Sequence, residues 1–320
     1  MTLENLNSVG LVGLGSMGTW MAAHLAEKLP ATTQIFIFDK ATPLMNDLSS
    51  RYPNKVVQCI NPKDVADRSD IVLTILPEGK HVKRVYLSED GICSGDIKGK
   101  LLIDCSTIDT ASFLEVGDHI TNLSPSTKLY DAPINGGETE AKEGSITFLL
   151  GCPNDNDPQL ERLVELLSLV GSKVIRCGAP SLGLAAKLSS DYLSGIITIA
   201  CAEAMDMGIR CGVDPRVLAN VYESGSAQNT ICDRFCPVPG VYPEAPLANG
   251  FRNGFDVQMM RRDFGLAVAL AHRAESRNVL GGAGLKIYEG ASEDPRCTEL
   301  DSRVIFRYLG GNENWRNDQK

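Results

Sequence analysis

SVGLVGLGSMG, at residues 8–18, is the stretch that decides the fold of this 320-residue chain. Its first five residues are mostly apolar, as in a short buried strand, and the helical segment Thr19–Leu29 follows. A G-x-G-x-x-G pattern is informative when a strand precedes it and a helix follows it, and both conditions hold here. We therefore predict a strand–turn–helix unit that binds the pyrophosphate of a dinucleotide at the N-terminus of the helix.

Each glycine of this loop has a separate task in the predicted unit. Gly13 makes the tight turn, Gly15 lets the backbone approach the pyrophosphate, and Gly18 lets the helix pack closely on the sheet. The loop residues predicted to line the cofactor with them are Leu14, Ser16 and Met17.

Asp39 ends the next predicted strand, Gln34–Phe38, about twenty residues beyond the glycines. An acid at this position accepts hydrogen bonds from a ribose diol and repels a 2′-phosphate, so NAD is the expected cofactor. Lys40 beside it leaves NADP possible. The alternative is a plain glycine-rich turn with an ordinary strand-end acid, and the spacing and strand order favour the first interpretation.

Strands and helices alternate as far as residue 178, which predicts a Rossmann-type, doubly wound parallel sheet. Ligands of such sheets lie beyond the carboxyl ends of the strands, where we expect Pro77 and the turn Cys105–Thr107. The predicted strands are Val56–Ile60, Ile71–Leu76, Leu101–Asp104, Leu129–Ala132, Ile146–Leu150 and Lys173–Cys177, and the predicted helices are Val82–Leu87, Ala111–Ile120 and Leu160–Val170.

A long helix is predicted from Ser181 to Gly212, apolar around most of its circumference and therefore expected to be buried in a larger assembly. One polar seam interrupts it and is expected to face a cleft; it consists of Lys187, Asp191, Ser194 and Thr198. We predict a dinucleotide-binding domain at 1–178, an interdomain helix at 179–212 and an all-helical substrate and oligomerisation domain at 213–320. The active site is expected in the crevice between the domains.

Beyond Gly212 the pattern predicts helices and one long loop. The loop, Cys236–Pro243, contains too many prolines for a helix or a central strand. The helices are predicted at Arg216–Ser224, Val257–Ala274, Gly284–Glu293 and Thr298–Leu309.

Composition narrows the classes of partner. A net charge of −9 argues against nucleic acid and anionic membranes as partners, and no apolar run is expected to span a bilayer. Ten cysteines and four histidines form no metal-type pattern, so no metal is expected, and Cys232 and Cys236 are interpreted as buried thiols. MTLENLN, before the first strand, is short and acidic, which favours a cytoplasmic location, or the mitochondrial matrix if a presequence was removed.

Several motifs together resemble the β-hydroxyacid dehydrogenase family, and over nearly the whole chain the similarity is to its 3-hydroxyisobutyrate branch. The motifs are GLGSMGTWM at 13–21, LIDCSTID at 102–109, DAPINGG at 131–137, GLAAK at 183–187, AEAMDMGIRCGVDP at 202–215, PVPGV at 237–241 and RDFGLA at 262–267. The resemblance implies hydride transfer between NAD and a small 3-hydroxy acid, as in valine degradation, by a homodimer or homotetramer.

The resemblance also implies roles for single residues. Lys187 is implied as the catalytic acid/base, and Leu76, Pro77 and Thr107 as the nicotinamide side of the cofactor site. The residues implied or predicted to bind the substrate are Ser106, Asn135, Gly136, Gly137, Lys187 and Asp191.

Three positions depart from the family pattern. Asp191 replaces an amide one turn after Lys187, where its charge favours the ammonium form of the lysine and repels a substrate carboxylate. Asn135 replaces a serine, and Arg262 replaces a lysine near the cofactor, where a guanidinium can also clamp a carboxylate. A hypothesis follows: Asp191 takes part in catalysis and biases the enzyme toward reduction of a semialdehyde.

Other functions remain open at this point. One is a reductase of glyoxylate or succinic semialdehyde in the same family, and Asp39 argues against the NADPH that such relatives commonly use. Another is a non-catalytic, cofactor-binding scaffold. The presence of Lys187, Thr107 and the double glycine argues against it, because a scaffold does not need all three. A third alternative is an imine reductase on the same fold, but such enzymes usually lack a lysine at the position of Lys187.

Overall fold

The computed structural model describes residues 6–152, 157–242, 250–252 and 254–316. These residues form two compact units, Met1–Lys187 and Leu188–Lys320, whose boundary lies inside one long helix. The three-part division at 178 and 212 stays a prediction. Most of the N-terminal segment MTLENLN, Pro243 at the end of the predicted loop, and the C-terminal NDQK lie outside the described residues.

The first unit is built on one sheet. Its strands are β1 (Ser8–Val12), β2 (Gln34–Phe38), β3 (Val56–Gln58), β4 (Ile71–Thr74), β5 (Leu101–Asp104), β6 (Lys128–Asp131), β7 (Ile134–Asn135), β8 (Thr147–Gly151) and β9 (Lys173–Gly178). Its helices are α1 (Gly18–Lys28), α2 (Thr42–Arg51), α3 (Pro62–Arg68), α4 (Gly79–Leu87), α5 (Thr110–Leu123), α6 (Glu138–Glu143) and α7 (Leu160–Val170).

The order of the strands, β3-β2-β1-β4-β5-β6-β8-β7 with β9 beside β8, confirms the doubly wound Rossmann-type sheet. The six neighbouring strands β3, β2, β1, β4, β5 and β6 pair in parallel, and so do β8 and β9. Strand β8, however, runs antiparallel to both β6 and β7. The sheet is therefore mixed rather than parallel throughout.

Strands β1, β4 and β5 are buried along their whole length, which explains why their sequences are apolar without alternation. One apolar cluster packs α1 and α7 on one face of the sheet, and a second packs α3, α4 and α5 on the other. Because β1, β2, β4, β5 and β6 run parallel, the loops that follow them lie at one edge of the sheet.

Three helices of this unit were not predicted because they are short or largely polar. They are α2, α3 and α6. Local capping makes α3 possible, since the side chain of Asn61 accepts the Asp64 N–H at 2.8 Å and Pro62 opens the helix. The predicted strand Val56–Ile60 ends earlier, at Gln58.

The second unit is helical in the part of the chain that the structure describes, apart from one isolated bridge between Asp256 and Asp301. Its helices are α9 (Pro215–Glu223), α10 (Thr230–Arg234), α11 (Val257–Arg273), α12 (Gly281–Glu293), a 3-10 helix (Ser302–Val304) and α13 (Ile305–Tyr308), packed around an apolar cluster that includes Phe264 and Tyr288.

The predicted helix Thr298–Leu309 is wrong over its first turn. The Val257 N–H donates to the Leu300 carbonyl at 2.8 Å, and the Asp301 N–H donates to the Phe251 carbonyl at 2.7 Å. The segment before Asp301 forms turns, with Glu299 at φ +61°, and these long-range bonds fix its end, so the helix begins only after Asp301 accepts the Arg303 N–H. Tertiary pairing therefore overrides the local helical pattern.

Helix α8 (Leu182–Arg210) joins the two units and is less buried than its composition predicts. Leu193 is 58% exposed and Met207 66% exposed, so the helix is not covered on all sides in this chain. Thr198 of the polar seam is itself buried and donates its hydroxyl to the Ser194 carbonyl, so it does not face a cleft.

By length and composition alone α8 could cross a membrane, so the expectation that no apolar run reaches that length was wrong. A core helix of a soluble protein satisfies the same criterion, and a single such helix is weak evidence. Within its first three turns α8 also carries Lys187 and Asp191, which are costly in hydrocarbon. The absence of a membrane partner stays a prediction.

Candidate active site

The glycine loop after β1 has the geometry that the sequence predicts. Gly13 has φ +98°, a conformation that favours glycine, and its N–H donates to the Phe38 carbonyl at 3.0 Å. A Cβ on Gly13 would meet the Ile75 carbonyl oxygen, and one on Gly18 would meet the Gly13 carbonyl oxygen. Both positions therefore require glycine for close packing.

Gly15 differs from its two neighbours in the motif. No atom lies within 4 Å of the position that a Cβ on Gly15 would take. The space above this glycine is open, and it lies at the N-terminus of α1, where anions bind backbone N–H groups. The loop therefore fits the pyrophosphate of a dinucleotide.

Asp39 ties the end of β2 to the glycine loop. One carboxylate oxygen accepts the Leu14 N–H at 2.7 Å, and the other accepts the Ala41 N–H at 2.7 Å. A carboxylate has about four lone-pair positions, so both oxygens can still accept ribose hydroxyls. Asp39 thus has a structural task in addition to the predicted contact with ribose.

A cavity of about 590 Å³ opens beside this carboxylate, at the carboxyl ends of β1, β2 and β4. Its volume is in the range of small-molecule sites. The lining residues are Val12, Gly13, Phe38, Asp39, Lys40, Pro62, Leu76, Pro77, His81, Arg84, Val85, Ser88 and Asp90. It brings together four of the predicted cofactor residues, namely Gly13, Asp39, Leu76 and Pro77.

His81 and Arg84 also line this cavity, and the sequence analysis missed them. Both lie on α4, which begins two residues after Pro77, and their i, i+3 spacing places them on one helix face. That spacing directly after a strand-end proline is the signal that could have revealed them.

A buried carboxyl group holds the ends of β4 and β5 together. Asp104 accepts the hydroxyls of Thr74 at 2.7 Å and Ser106 at 2.6 Å, and Ser106 in turn accepts the Leu76 N–H at 2.8 Å. Burial raises the pKa of Asp104, because a charged carboxylate is disfavoured away from water. This network positions Leu76, which the resemblance places beside the nicotinamide.

Ser106 itself is 1% exposed, and its hydroxyl both donates and accepts within this network. The predicted direct contact of Ser106 with substrate would require the hydroxyl to leave these partners. Thr107, the next residue, is half-buried at the end of the same turn. Asp104 was not predicted as a site residue, although an acid that ends a fully apolar strand is a visible signal.

The double glycine after β7 is exposed, with Gly136 at φ +127°. The N–H of Gly137 donates to the carboxylate of Glu140 at 2.9 Å. One of the two glycine N–H groups predicted to hold a substrate carboxylate therefore already contacts an acidic side chain, which the sequence analysis did not identify. Asn135, at the end of β7, is half-buried.

The start of α8 is bonded to the end of β6 through one buried side chain. Asp131 accepts the Ser181 N–H at 2.7 Å and the Leu184 N–H at 2.8 Å, and Lys187 follows on the same helix. A Cβ on Gly151 or Gly183 would collide with this carboxylate. The helix that carries Lys187 thus begins at the edge of the sheet where the glycine loop lies.

Burial raises the pKa of Asp131 to about 6, although its backbone hydrogen bonds act in the opposite direction. The folded state therefore binds this proton more tightly than the unfolded chain does. We expect the free energy of unfolding to fall as the pH rises from about 4 to about 6, by up to about 3 kcal/mol from this group.

Urea titrations between pH 4 and pH 7 test this expectation, with the Asp131→Asn variant as the comparison. The variant has no carboxyl to ionise at this position, so the pH slope of its stability should be smaller. Identical slopes for the two proteins would contradict the raised pKa.

Two further predicted residues belong to the second unit. Arg262 donates from Nε to Asp263 at 2.7 Å, and Asp263 is buried. Asp191 lies on α8 one turn after Lys187 and is half-buried. Their roles toward cofactor and substrate stay predictions.

Two family models match successive parts of the chain. Residues 8–178 match the family model described as the NAD-binding domain of 6-phosphogluconate dehydrogenase. Residues 182–308 match the model described as the NAD-binding part of NADP-dependent 3-hydroxyisobutyrate dehydrogenase.

Individual relatives cover almost the whole chain. A probable mitochondrial 3-hydroxyisobutyrate dehydrogenase of Dictyostelium discoideum is 33% identical over 99% of this chain and 94% of its own length. The mitochondrial 3-hydroxyisobutyrate dehydrogenase of Homo sapiens is 35% identical over 94% of this chain and 86% of its own length. The chain belongs to the 3-hydroxyisobutyrate dehydrogenase family.

A solved structure of the 3-hydroxyisobutyrate dehydrogenase family supports the same assignment. The Mycobacterium tuberculosis 3-hydroxyisobutyrate dehydrogenase with L-serine superimposes with a TM-score of 0.86 at 27% identity, over 95% of this chain and 99% of that one. The chain is thus an oxidoreductase of the NAD-dependent hydroxyacid dehydrogenase class.

Proposed function

We propose that the protein interconverts a small 3-hydroxy acid, of the 3-hydroxyisobutyrate type, and its semialdehyde, with Lys187 as the acid/base. The observation that carries the proposal is the anchoring of α8 by Asp131. Because β1 and β6 belong to the parallel part of the sheet, their carboxyl ends lie at one edge. Lys187 therefore lies on a helix that starts at the edge of the sheet where Gly15 leaves room for the cofactor.

The proposed reaction needs one proton acceptor and one anchor for the substrate. Bound NAD accepts the hydride from the carbinol carbon. The amine of Lys187 accepts the proton of the hydroxyl in oxidation, and its ammonium returns that proton in reduction. Asn135 and the backbone of the double glycine hold the carboxylate of the substrate.

A second candidate is a reductase of small semialdehydes or glyoxylate, and Asp191 is the observation that favours it. Asp191 shares a helix face with Lys187, one turn apart, where its carboxylate can pair with the lysine side chain as an ammonium. An ammonium donates a proton to a carbonyl oxygen and cannot accept one from a hydroxyl. This arrangement supports preferential reduction.

The deciding experiment measures NADH formation from racemic 3-hydroxyisobutyrate, with NADP in parallel and with the Asp191→Asn variant beside the unmodified protein. Turnover by the unmodified protein supports the dehydrogenase. Turnover by the variant alone means that the natural substrate of the unmodified protein is not 3-hydroxyisobutyrate. If neither protein shows turnover while NAD still binds, the result supports the non-catalytic, cofactor-binding scaffold. An unchanged pH profile in both directions after Asp191→Asn would rule out the bias toward reduction.

Glu140 sets a further expectation for the same site. Glu140→Ala removes the carboxylate that accepts the Gly137 N–H, so it should lower the KM of a carboxylate substrate. An exposed charge contact of this kind is worth up to about 1 kcal/mol, or roughly fivefold in KM. Steady-state kinetics with 3-hydroxyisobutyrate measure the change.

Glu143→Ala is the matched control for Glu140→Ala, because it removes the same charge from the same exposed helix without touching the Gly137 hydrogen bond. Equal KM changes in both variants would assign the effect to net charge. The KM of NAD should stay constant in both.

The location and assembly of the protein also belong to the proposal. The Dictyostelium and human relatives are named as mitochondrial proteins, and a matrix or cytoplasmic location fits such an enzyme. A homodimer or homotetramer fits the apolar side chains that α8 exposes at Leu193 and Met207.

A further inference from the structure

Two cysteines of the second unit lie in contact although they are far apart in the sequence. Cys201 lies on α8 and Cys232 on α10, and their sulfur atoms are 2.8 Å apart. Both side chains are buried, with exposed fractions of 5% and 2%. A disulfide bond is about 2.0 Å long, so the two sulfurs would need to approach by less than about 1 Å to form one.

Asn229 positions both thiols. Its side-chain oxygen accepts the Cys232 N–H at 2.9 Å, which caps α10, and it accepts the Cys201 thiol at 3.6 Å. The hydrogen bond between the two sulfurs is the largest cause that lowers the pKa of Cys232, to about 7, and that raises the pKa of Cys201. The pair therefore contains one sulfur with thiolate character and one that keeps its proton.

A third cysteine lies close by but differs in character. Burial raises the pKa of Cys236 to about 12, so it stays a thiol. Among the residues that the structure describes, no group of three or more histidines, cysteines or acids could hold a metal ion. The chemistry of the pair is therefore that of two thiols rather than of a metal site.

We propose that Cys201 and Cys232 form a site of reversible oxidation, in which a hydroperoxide converts the contacting thiols into a disulfide that joins α8 to α10. The proposal is independent of the dehydrogenase function, since it rests on side chains of the second unit alone.

The Cys232 thiolate attacks one oxygen of hydrogen peroxide, which breaks the O–O bond, forms a sulfenic acid and releases hydroxide. The Cys201 sulfur then attacks the Cys232 sulfur, loses its proton and displaces the hydroxyl group as water. Two thiols lose two electrons in total, and one peroxide becomes two waters.

Access to the pair depends on α10. This helix has only five residues, Thr230–Arg234, and so short a helix has little stability of its own. Opening of α10 exposes Cys232 to a molecule as small as peroxide, and its closure returns Cys232 to Cys201. The site therefore favours small oxidants over bulky disulfides.

The test treats the purified full-length protein with hydrogen peroxide, alkylates the remaining thiols and identifies disulfide-linked peptides by mass spectrometry. We expect a link between Cys201 and Cys232, the loss of these two thiols in addition to oxidation of the exposed Cys211, and recovery of both linked thiols after dithiothreitol. Cys201→Ser and Cys232→Ser should each abolish the link.

Cys236→Ser is the matched control, because it removes a neighbouring buried thiol and should leave the link intact. The exposed Cys211 reports that peroxide reached the protein. A link through Cys236, over-oxidation of Cys232 without any link, or oxidation of Cys211 alone would each overturn the proposal. Circular dichroism of the reduced serine variants verifies that they fold.

Discussion

Replacing Lys187 by methionine should lower kcat about 10²–10⁴-fold, the range expected when a positioned acid/base is removed. Methionine keeps the length and apolar character of the side chain but cannot transfer a proton. Because the glycine loop and the cavity beside Asp39 do not involve this side chain, the affinity for NAD should stay within about twofold. Steady-state kinetics and titration of cofactor binding measure the two quantities.

Lys286→Met is the matched control, since it removes an exposed lysine from α12 in the second unit. It should leave kcat unchanged. If Lys187→Met keeps more than about a tenth of the activity at every pH, another group transfers the proton and the proposed role of Lys187 is wrong.

Gly15→Val should strongly weaken cofactor binding while the protein still folds. No atom lies within 4 Å of the position that a Cβ at Gly15 would take, so we expect the substitution to destabilise the protein little. The new side chain occupies the space that the pyrophosphate needs. We expect the Kd of NAD to rise by roughly a hundredfold, which corresponds to a loss of about 3 kcal/mol of binding free energy.

Gly13→Ala provides the contrast within the same motif. Its Cβ meets the Ile75 carbonyl oxygen, and φ at this position is +98°. The change should therefore lower the free energy of unfolding by about 1–3 kcal/mol. Thermal melts and NAD titrations of both variants separate the two effects. Equal stability losses at Gly13 and Gly15 would contradict the assignment of separate roles.

Local signals were sufficient to predict the strand–turn–helix at residues 8–29 and the strand Leu101–Asp104. The glycine spacing determines the first, and the run of three buried apolar residues, Leu101–Ile103, determines the second. The positions of Asp39, Leu76 and Pro77 around one cavity also follow from strand order, because parallel strands end at one edge.

Other features depend on residues distant in the sequence, and no local pattern contains them. Asp131 meets the start of α8 some fifty residues later, and the reversal of β8 depends on its pairing with β6 and β7. The turn segment that ends at Asp301 is held by partners at Phe251 and Val257. The contact between Cys201 and Cys232 likewise arises from helix packing.

Asp39 accepts two backbone N–H groups, and this affects how the cofactor preference could be redesigned. Exchange of this acid for a cation or a small neutral residue is the usual route from NAD toward NADP. Here the same exchange deprives the Leu14 and Ala41 N–H groups of their acceptor and loosens the loop that holds the pyrophosphate. A change of coenzyme would have to keep a hydrogen-bond acceptor at position 39 and recruit its cation from Lys40 or Arg84, which already line the cavity.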